Sequence, residues 1–309
     1  MPANVVVYIA SRAYTAVQVE RLSNISPMPT LSYHIVNVFT QGDDPFSGNP
    51  LCVVESGELL DASRMQALAL QFNVSETTFI LPSERADARV RIFTPHYEMR
   101  FAGHPTLGSA HICRALGIAG DRLTLEMPAG IIPVQASGRR WTLQANAPTW
   151  REVPEPRATL ASMMGIDERE IDERPLWVDA GTEQLVIPVI HEAAVRRAKP
   201  VGDILSRLSG DGGERMAYLF APTATPGRLL ARFFFPQGGA VLEDPATGSA
   251  TANLGGWFLA MGRPVPQAFE IFQGQYAGRP STLYLEVGTD RGIRVSGDVI
   301  VLGRGTLML

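Results

Sequence analysis

Cysteine is nearly absent from this chain: Cys52 and Cys113 are the only two in 309 residues. Both sit in apolar neighbourhoods without C-x-x-C spacing, which argues against a disulfide framework or a cysteine zinc site and points to a reduced, cytosolic compartment. Dense cationic clusters are missing as well. The net charge is −4 and the pI about 5.8. Only the short pairs Arg139-Arg140 and Arg196-Arg197 stand out, which argues against nucleic acid or an anionic membrane as the main partner. Long apolar runs are lacking too. Near the N-terminus the longest is Val5 to Ala10, too short for a spanning helix or a signal core and without a basic lead. Residues 1–30 therefore read as an N-terminal extension, because strand-like patterning begins at Leu31.

What is present is an internal repeat. Residues 91–110 (RIFTPHYEMRFAGHPTLGSA) and 232–250 (RFFFPQGGAVLEDPATGSA) are versions of one segment. Arg91, Phe93, Pro95 and Thr106 fall on Arg232, Phe234, Pro236 and Thr247; dropping one residue then places Gly108-Ser109-Ala110 on Gly248-Ser249-Ala250. At 45% hydrophobic, the chain is long enough for two cores. A first half-domain over 31–147 and a second over 148–300 are expected, with the last strand, about 301–309, as a candidate to complete the first. The boundary follows the Pro-rich stretch 146–156, which reads as an extended strap.

Short β-branched or alternating runs at 32–39, 51–55, 77–81, 89–94, 122–126, 131–135, 140–145, 176–179, 185–190, 217–221, 229–235, 268–272, 282–287 and 292–302 predict a β-rich chain with few helices. One helix starts at Asp61 and carries Met65, Leu68, Ala69 and Phe72 on one face before Asn73 stops it. Two others, Thr106 to Leu116 and Gly248 to Ala260, have no polar face, so each is expected at the centre of its half, wrapped by strands. Gly255-Gly256 inside the second implies close approach by a strand.

The repeat diverges where chemistry is expected, at Gly103-His104-Pro105 and Glu243-Asp244-Pro245. Helix starts at both loops offer backbone N–H groups for a carboxylate or phosphate, or else the glycines only cap helices. Glu76, in Asn73-Val74-Ser75-Glu76-Thr77-Thr78-Phe79, stands at a strand start, either as a proton-transfer group near the cleft or as an ordinary surface glutamate. His96, His104 and His111 are close in sequence, but lack carboxylate partners at ligand spacing, so no metal is expected. His111 reads as a packed or hydrogen-bonded helix residue.

Phe46-Ser47-Gly48-Asn49-Pro50, Ser75-Glu76-Thr77-Thr78-Phe79, Phe101-Ala102-Gly103-His104-Pro105-Thr106 and Glu243-Asp244-Pro245-Ala246-Thr247-Gly248-Ser249-Ala250 resemble, in order, the signature segments of the PhzF-like phenazine-biosynthesis isomerases. Gln273-Gly274 with Gly278-Arg279-Pro280-Ser281 resembles a further one. The resemblance implies an α+β, diaminopimelate-epimerase-like fold of two pseudo-symmetric domains, each a barrel-like sheet around a central helix. It also implies a cofactor-free site between them and a homodimer. Carried over residue by residue, it makes Glu76 the acid/base, His104 and Asp244 its catalytic partners, and Asn49, Gly103, Gly248 and Ser249 the substrate-binding positions.

The reaction implied is movement of a proton on a small amino-acid-like carboxylate. A racemase, epimerase or dehydratase of a related acid is the alternative, as is a binding protein that keeps the fold. Two-thiol racemisation is disfavoured, because neither cysteine lies in a helix-opening loop. Two positions depart from the pattern: Arg100, which would favour a second anionic group if it entered the cleft and otherwise faces water, and Leu242, where proline is frequent.

Overall fold

The computed structural model describes residues 30–209 and 215–309. But for Thr30, the extension expected over 1–30 lies outside them. In chain order the elements are β1 Thr30–Val38, β2 Asn49–Val54, α1 Ala62–Phe72, β3 Glu76–Leu81, β4 Ala88–Phe93, β5 Glu98–Met99, α2 Gly103–Ala115, β6 Arg122–Met127, β7 Gly130–Ser137, β8 Arg140–Gln144 and β9 Thr149–Glu152. They continue with α3 Arg157–Met164, β10 Leu176–Asp179, β11 Glu183–Pro188, α4 Glu192–Arg197, α5 Gly202–Leu205, β12 Ala217–Pro222, β13 Arg228–Gln237, β14 Ala240–Asp244, α6 Gly248–Ala260, β15 Gln267–Gln273, β16 Ser281–Val287 and β17 Ile293–Met308. The fold is α+β.

The strand pairing occurs twice. β2 lies parallel to β3, β3–β4–β5 run antiparallel, β4 lies parallel to β6, and β6–β7–β8 run antiparallel. β11 through β17 repeat each of these steps in the same order. The copies then exchange ends: β9 pairs with β10, while residues 299–308 of β17 pair with β1. β8 joins β17 at their junction, with Thr142 opposite Ser296 and their hydroxyls 2.8 Å apart.

Local chemistry explains the helices. Asp61 caps α1 by accepting from the Arg64 N–H at 2.8 Å, Met65, Leu68 and Ala69 form its buried face, and Asn73 ends it in the left-handed region that asparagine tolerates. α2 packs against β1, β2, β3, β4, β6, β8 and β17; α6 packs against β9, β10, β11, β16 and β17. Nearly all of α6 is buried, so an all-apolar sequence suits it. Gly255 and Gly256 permit the expected close approach, since a Cβ there would come within 2.8 Å of Ile293 and 2.7 Å of Val178.

The structure departs from the sequence reading in five places. α2 begins at Gly103, so His104 is a helix residue rather than a loop residue preceding it. The strap contains β9. The short helices α3, α4 and α5 and the strands β5 and β14 carry no long periodic pattern, and β17 runs on to Met308. The repeat also has a different register. Phe93 pairs with Glu98 and Phe234 with Glu243, so the β13–β14 hairpin is longer and its tip sits on Gly238-Gly239. Beyond it Gly103 matches Gly248, and His104 matches Ser249, as the first and second residues of their helices. The ion pairs Arg91–Glu98 and Arg232–Glu243 mark the same equivalence.

Phe39 wedges the junction. It is fully buried with φ 64°, and its ring lies where a Cβ on Gly297 of β17 would be, 2.1 Å from Cδ1. Gly297→Ala is expected to cost about 1–3 kcal/mol through overpacking, read as a lower urea midpoint at unchanged slope. An unchanged midpoint would mean that Phe39 is not held there.

Candidate active site

β3 starts with Glu76 beside the middle of β2, and α2 starts with Gly103 and His104; the two elements bring a carboxylate to an imidazole. His104 Nε2 stands 3.0 Å from Glu76 Oε2, with 8% and 14% of the respective side chains exposed. The approach is off the hydrogen-bond axis. Both atoms are buried, and neither has an aligned hydrogen-bond partner among the described residues. A desolvated donor and acceptor left open at one point are what a polar ligand atom would satisfy.

Asp244, at the end of β14, supplies the third group. Asn49 Nδ2 donates to its Oδ1 at 3.0 Å and to the Ala246 carbonyl, and Thr247 Oγ1 donates to its Oδ2. Ser75 donates to Asn49 Oδ1 at 3.0 Å, so the fully buried Asn49 ties the entry to β3 to the Asp244 loop. Gln273 Nε2 donates to Thr247 Oγ1 and to the Asp244 carbonyl, both at 2.9 Å.

The electrostatics couple the three groups. Burial pulls the His104 imidazole down, but the charges of Glu76, foremost, and of Asp244 leave it above its ordinary value. Burial pushes the Asp244 carboxyl up to about 6. The nearby Glu76 charge adds to that rise, while the Thr247 and Asn49 hydrogen bonds and the attraction of His104 oppose it.

The starts of α2 and α6 meet beside these groups: a Cβ on Gly103 would lie 3.8 Å from the Gly248 Cα. Ala102 and Thr247 precede the helices without capping them through a side chain. First-turn N–H groups of both helices are thus directed toward one place, with both dipoles favouring an anion. Ser249, second in α6, accepts from Gln184 Nε2 at 2.9 Å.

All the residues singled out from the sequence, Glu76, His104, Asp244, Asn49, Gly103, Gly248 and Ser249, therefore border this junction. Arg100 does not join it. It is exposed, in a shallow groove with Arg89, Arg91, Glu98 and Pro128. Leu242 is exposed on β14. His111 accepts from Trp141 Nε1 at 3.2 Å, and burial brings its imidazole down to about 4. Cys52 and Cys113 are buried free thiols, and burial pushes both up, Cys113 to about 12. Sequence reading missed Gln184, Asn253 and Phe39. Gln184 is one of a polar pair at the edge of an apolar strand, Asn253 is a single amide inside a small and apolar helix, and Phe39 needs a backbone angle to be noticed.

Residues 36–308 match the family described as phenazine biosynthesis-like protein, PhzC-PhzF. The trans-2,3-dihydro-3-hydroxyanthranilate isomerase of Pseudomonas aeruginosa is 35% identical, covering 88% of this chain and 95% of its own. An uncharacterized isomerase of Pasteurella multocida is 32% identical over 90% of this chain and 94% of its own. Among solved structures, a PhzF-family protein of Bacillus anthracis superimposes with a TM-score of 0.81 at 24% identity, covering 91% of this chain and all of that one. A hydroxyproline epimerase of Agrobacterium vitis shares the fold at a TM-score of 0.59 and 14% identity, covering 91% of this chain and 93% of that one.

Proposed function

The chain belongs to the phenazine biosynthesis-like family, and from that premise we propose that it is a cofactor-independent isomerase that relocates a proton on a small amino-acid-like or hydroxy-amino-acid carboxylate. The observation that carries this reading is the open contact between Glu76 and His104 beside two uncapped helix starts. Glu76 removes a proton from an activated carbon, and His104 or Asp244 assists its return at another position. Asp244, whose carboxyl burial raises to about 6, is suited to hold a proton that it can give up. Gly103, Gly248 and Ser249 hold the substrate carboxylate through helix-end N–H groups and a hydroxyl. Asn49, tied on all sides, acts by holding Asp244.

In this reading the site lies between a first half, 31–147 completed by 301–309, and a second half, 148–300, and the enzyme works in the cytosol. Thiol racemisation fits poorly with two buried thiols whose burial disfavours the thiolate. The test is solvent-deuterium incorporation, by mass spectrometry, into a panel of amino-acid and hydroxy-acid carboxylates that includes trans-2,3-dihydro-3-hydroxyanthranilate. Uptake into a panel member supports the reading, and its nature separates migration from epimerisation or loss of water. An inert panel would favour a binding role.

A homodimer is proposed as the working form. Light scattering should give a mass about twice the 33.5 kDa of one chain; a mass near 33.5 kDa would reject it.

A further inference from the structure

Behind Ser249 runs a chain of buried amides whose donor and acceptor roles are fixed from one end. The Ala180 backbone N–H can only donate, and it donates to Asn253 Oδ1 at 2.8 Å. Asn253 must then turn its Nδ2 toward the Thr182 carbonyl at 2.9 Å and Gln184 Oε1 at 2.8 Å. Gln184, with its oxygen occupied, presents Nε2 to Ser249 Oγ at 2.9 Å. The Ser249 oxygen is thereby an acceptor on its inner side. Its own proton has to point elsewhere, and no side chain or carbonyl among the described residues accepts it.

Resting on the carboxylate-binding role given to Ser249 above, we infer that Gln184 and Asn253 are positioning residues that commit the Ser249 hydroxyl to donate toward the junction of α2 and α6, where a substrate carboxylate oxygen is bound.

The internal repeat supplies the control. Thr77 pairs with Cys52 and Phe93, and Ala217 pairs with Leu185 and Phe234, so Gln184 stands where Leu51 stands in the first half. Asn253 is the sixth residue of α6, and Gly108 is the sixth of α2. At the first-half position Leu51 fills the space above Gly108, with Cδ2 2.5 Å from where a Cβ would be. The fold is therefore satisfied by an apolar contact at this place. Only the half that carries Ser249 in the position of His104 holds a polar relay there. Gln184 and Asn253 are 2% and 1% exposed, so a relay without a function would bring only the desolvation of two amides.

Neutron diffraction from deuterium-exchanged crystals of the full chain tests the relay without any ligand. The expected map has a Gln184 Nε2 deuteron on the line to Ser249 Oγ and the Ser249 deuteron off that line, toward the helix junction. A Ser249 deuteron aimed at Gln184 would overturn the proposal. Calorimetry with 3-hydroxyanthranilate as a stable carboxylate probe tests the consequence. Gln184→Glu keeps the shape but accepts from Ser249, and should weaken binding about tenfold or more at pH 7.5, as should Ser249→Ala. Gln184→Leu, which copies Leu51, should weaken it less. In the Ser249→Ala background Gln184→Leu should have no further effect, whereas an additive loss would mean a general packing role; Gln184→Glu does not enter this comparison, because its charge repels a carboxylate directly. If the wild type fails to bind the probe, the carboxylate reading of the junction loses support, and the deuteron positions still decide the relay.

Discussion

Glu76→Gln is expected to lower solvent-deuterium incorporation into the substrate by about 10²–10⁴-fold, the range associated with loss of a positioned acid/base group. Glutamine preserves the size of the side chain and places a polar end 3.0 Å or so from His104 Nε2, as the carboxylate oxygen does now. It cannot take a proton. The same change carries a second signature that does not depend on knowing the substrate. After the opposing effect of burial, the charge of Glu76 is the leading cause that holds the His104 imidazole above its ordinary value. Its removal leaves burial less opposed, so the His104 titration followed by NMR should move down in the variant. Full turnover in Glu76→Gln would remove Glu76 from the reaction. An unmoved His104 titration would mean that the two groups are not in contact in solution.

Much of the candidate site was legible in the sequence because its parts are local segments that resemble the family's signature segments. Glu76, His104 and Asp244 each sit in a short segment with a turn residue or a helix start beside it. The two helices betray their burial by having no polar face. The repeat was legible too, but its register beyond the hairpin was not. Gly108-Ser109-Ala110 and Gly248-Ser249-Ala250 are an identical triplet, and the eye aligns them. The strand register instead equates Gly103 with Gly248, because the β13–β14 hairpin is longer. That shift changes the chemistry of the comparison, since it sets His104 opposite Ser249. The relay through Gln184 and Asn253 was illegible for a different reason. Its members are 69 residues apart in the chain, and an amide at the edge of an apolar strand or within an apolar helix looks the same whether it ends on a solvent molecule or on a site hydroxyl. The strap likewise hid β9, a strand whose partner β10 lies beyond a helix.

Asp244→Asn is expected to change the pH dependence of stability as well as to depress turnover. In the folded protein the Asp244 carboxyl is raised from 3.8 to about 6, so between those values the native state binds more protons than the unfolded chain. Stability therefore falls as pH rises through this window. A rise of about two units corresponds to roughly 3 kcal/mol at most. His104 acts in the same direction at higher pH. Its imidazole is also raised, so its contribution is present below its unfolded value and is lost as pH rises through the folded one. Asparagine carries no proton equilibrium, and it can still accept from Asn49 while its amide donates to Thr247, whose hydroxyl then has to turn. The variant should lose the Asp244 part of the slope: relative to wild type it becomes more stable as pH increases from 4 to 7, and the His104 part above that persists in reduced form, because the Asp244 charge is one of the causes that raise it. Urea midpoints measured at intervals from pH 4 to 8 read this directly. Parallel curves for the two proteins would show that Asp244 titrates in the folded state as it does in the unfolded one, and would withdraw its role as a proton-holding group.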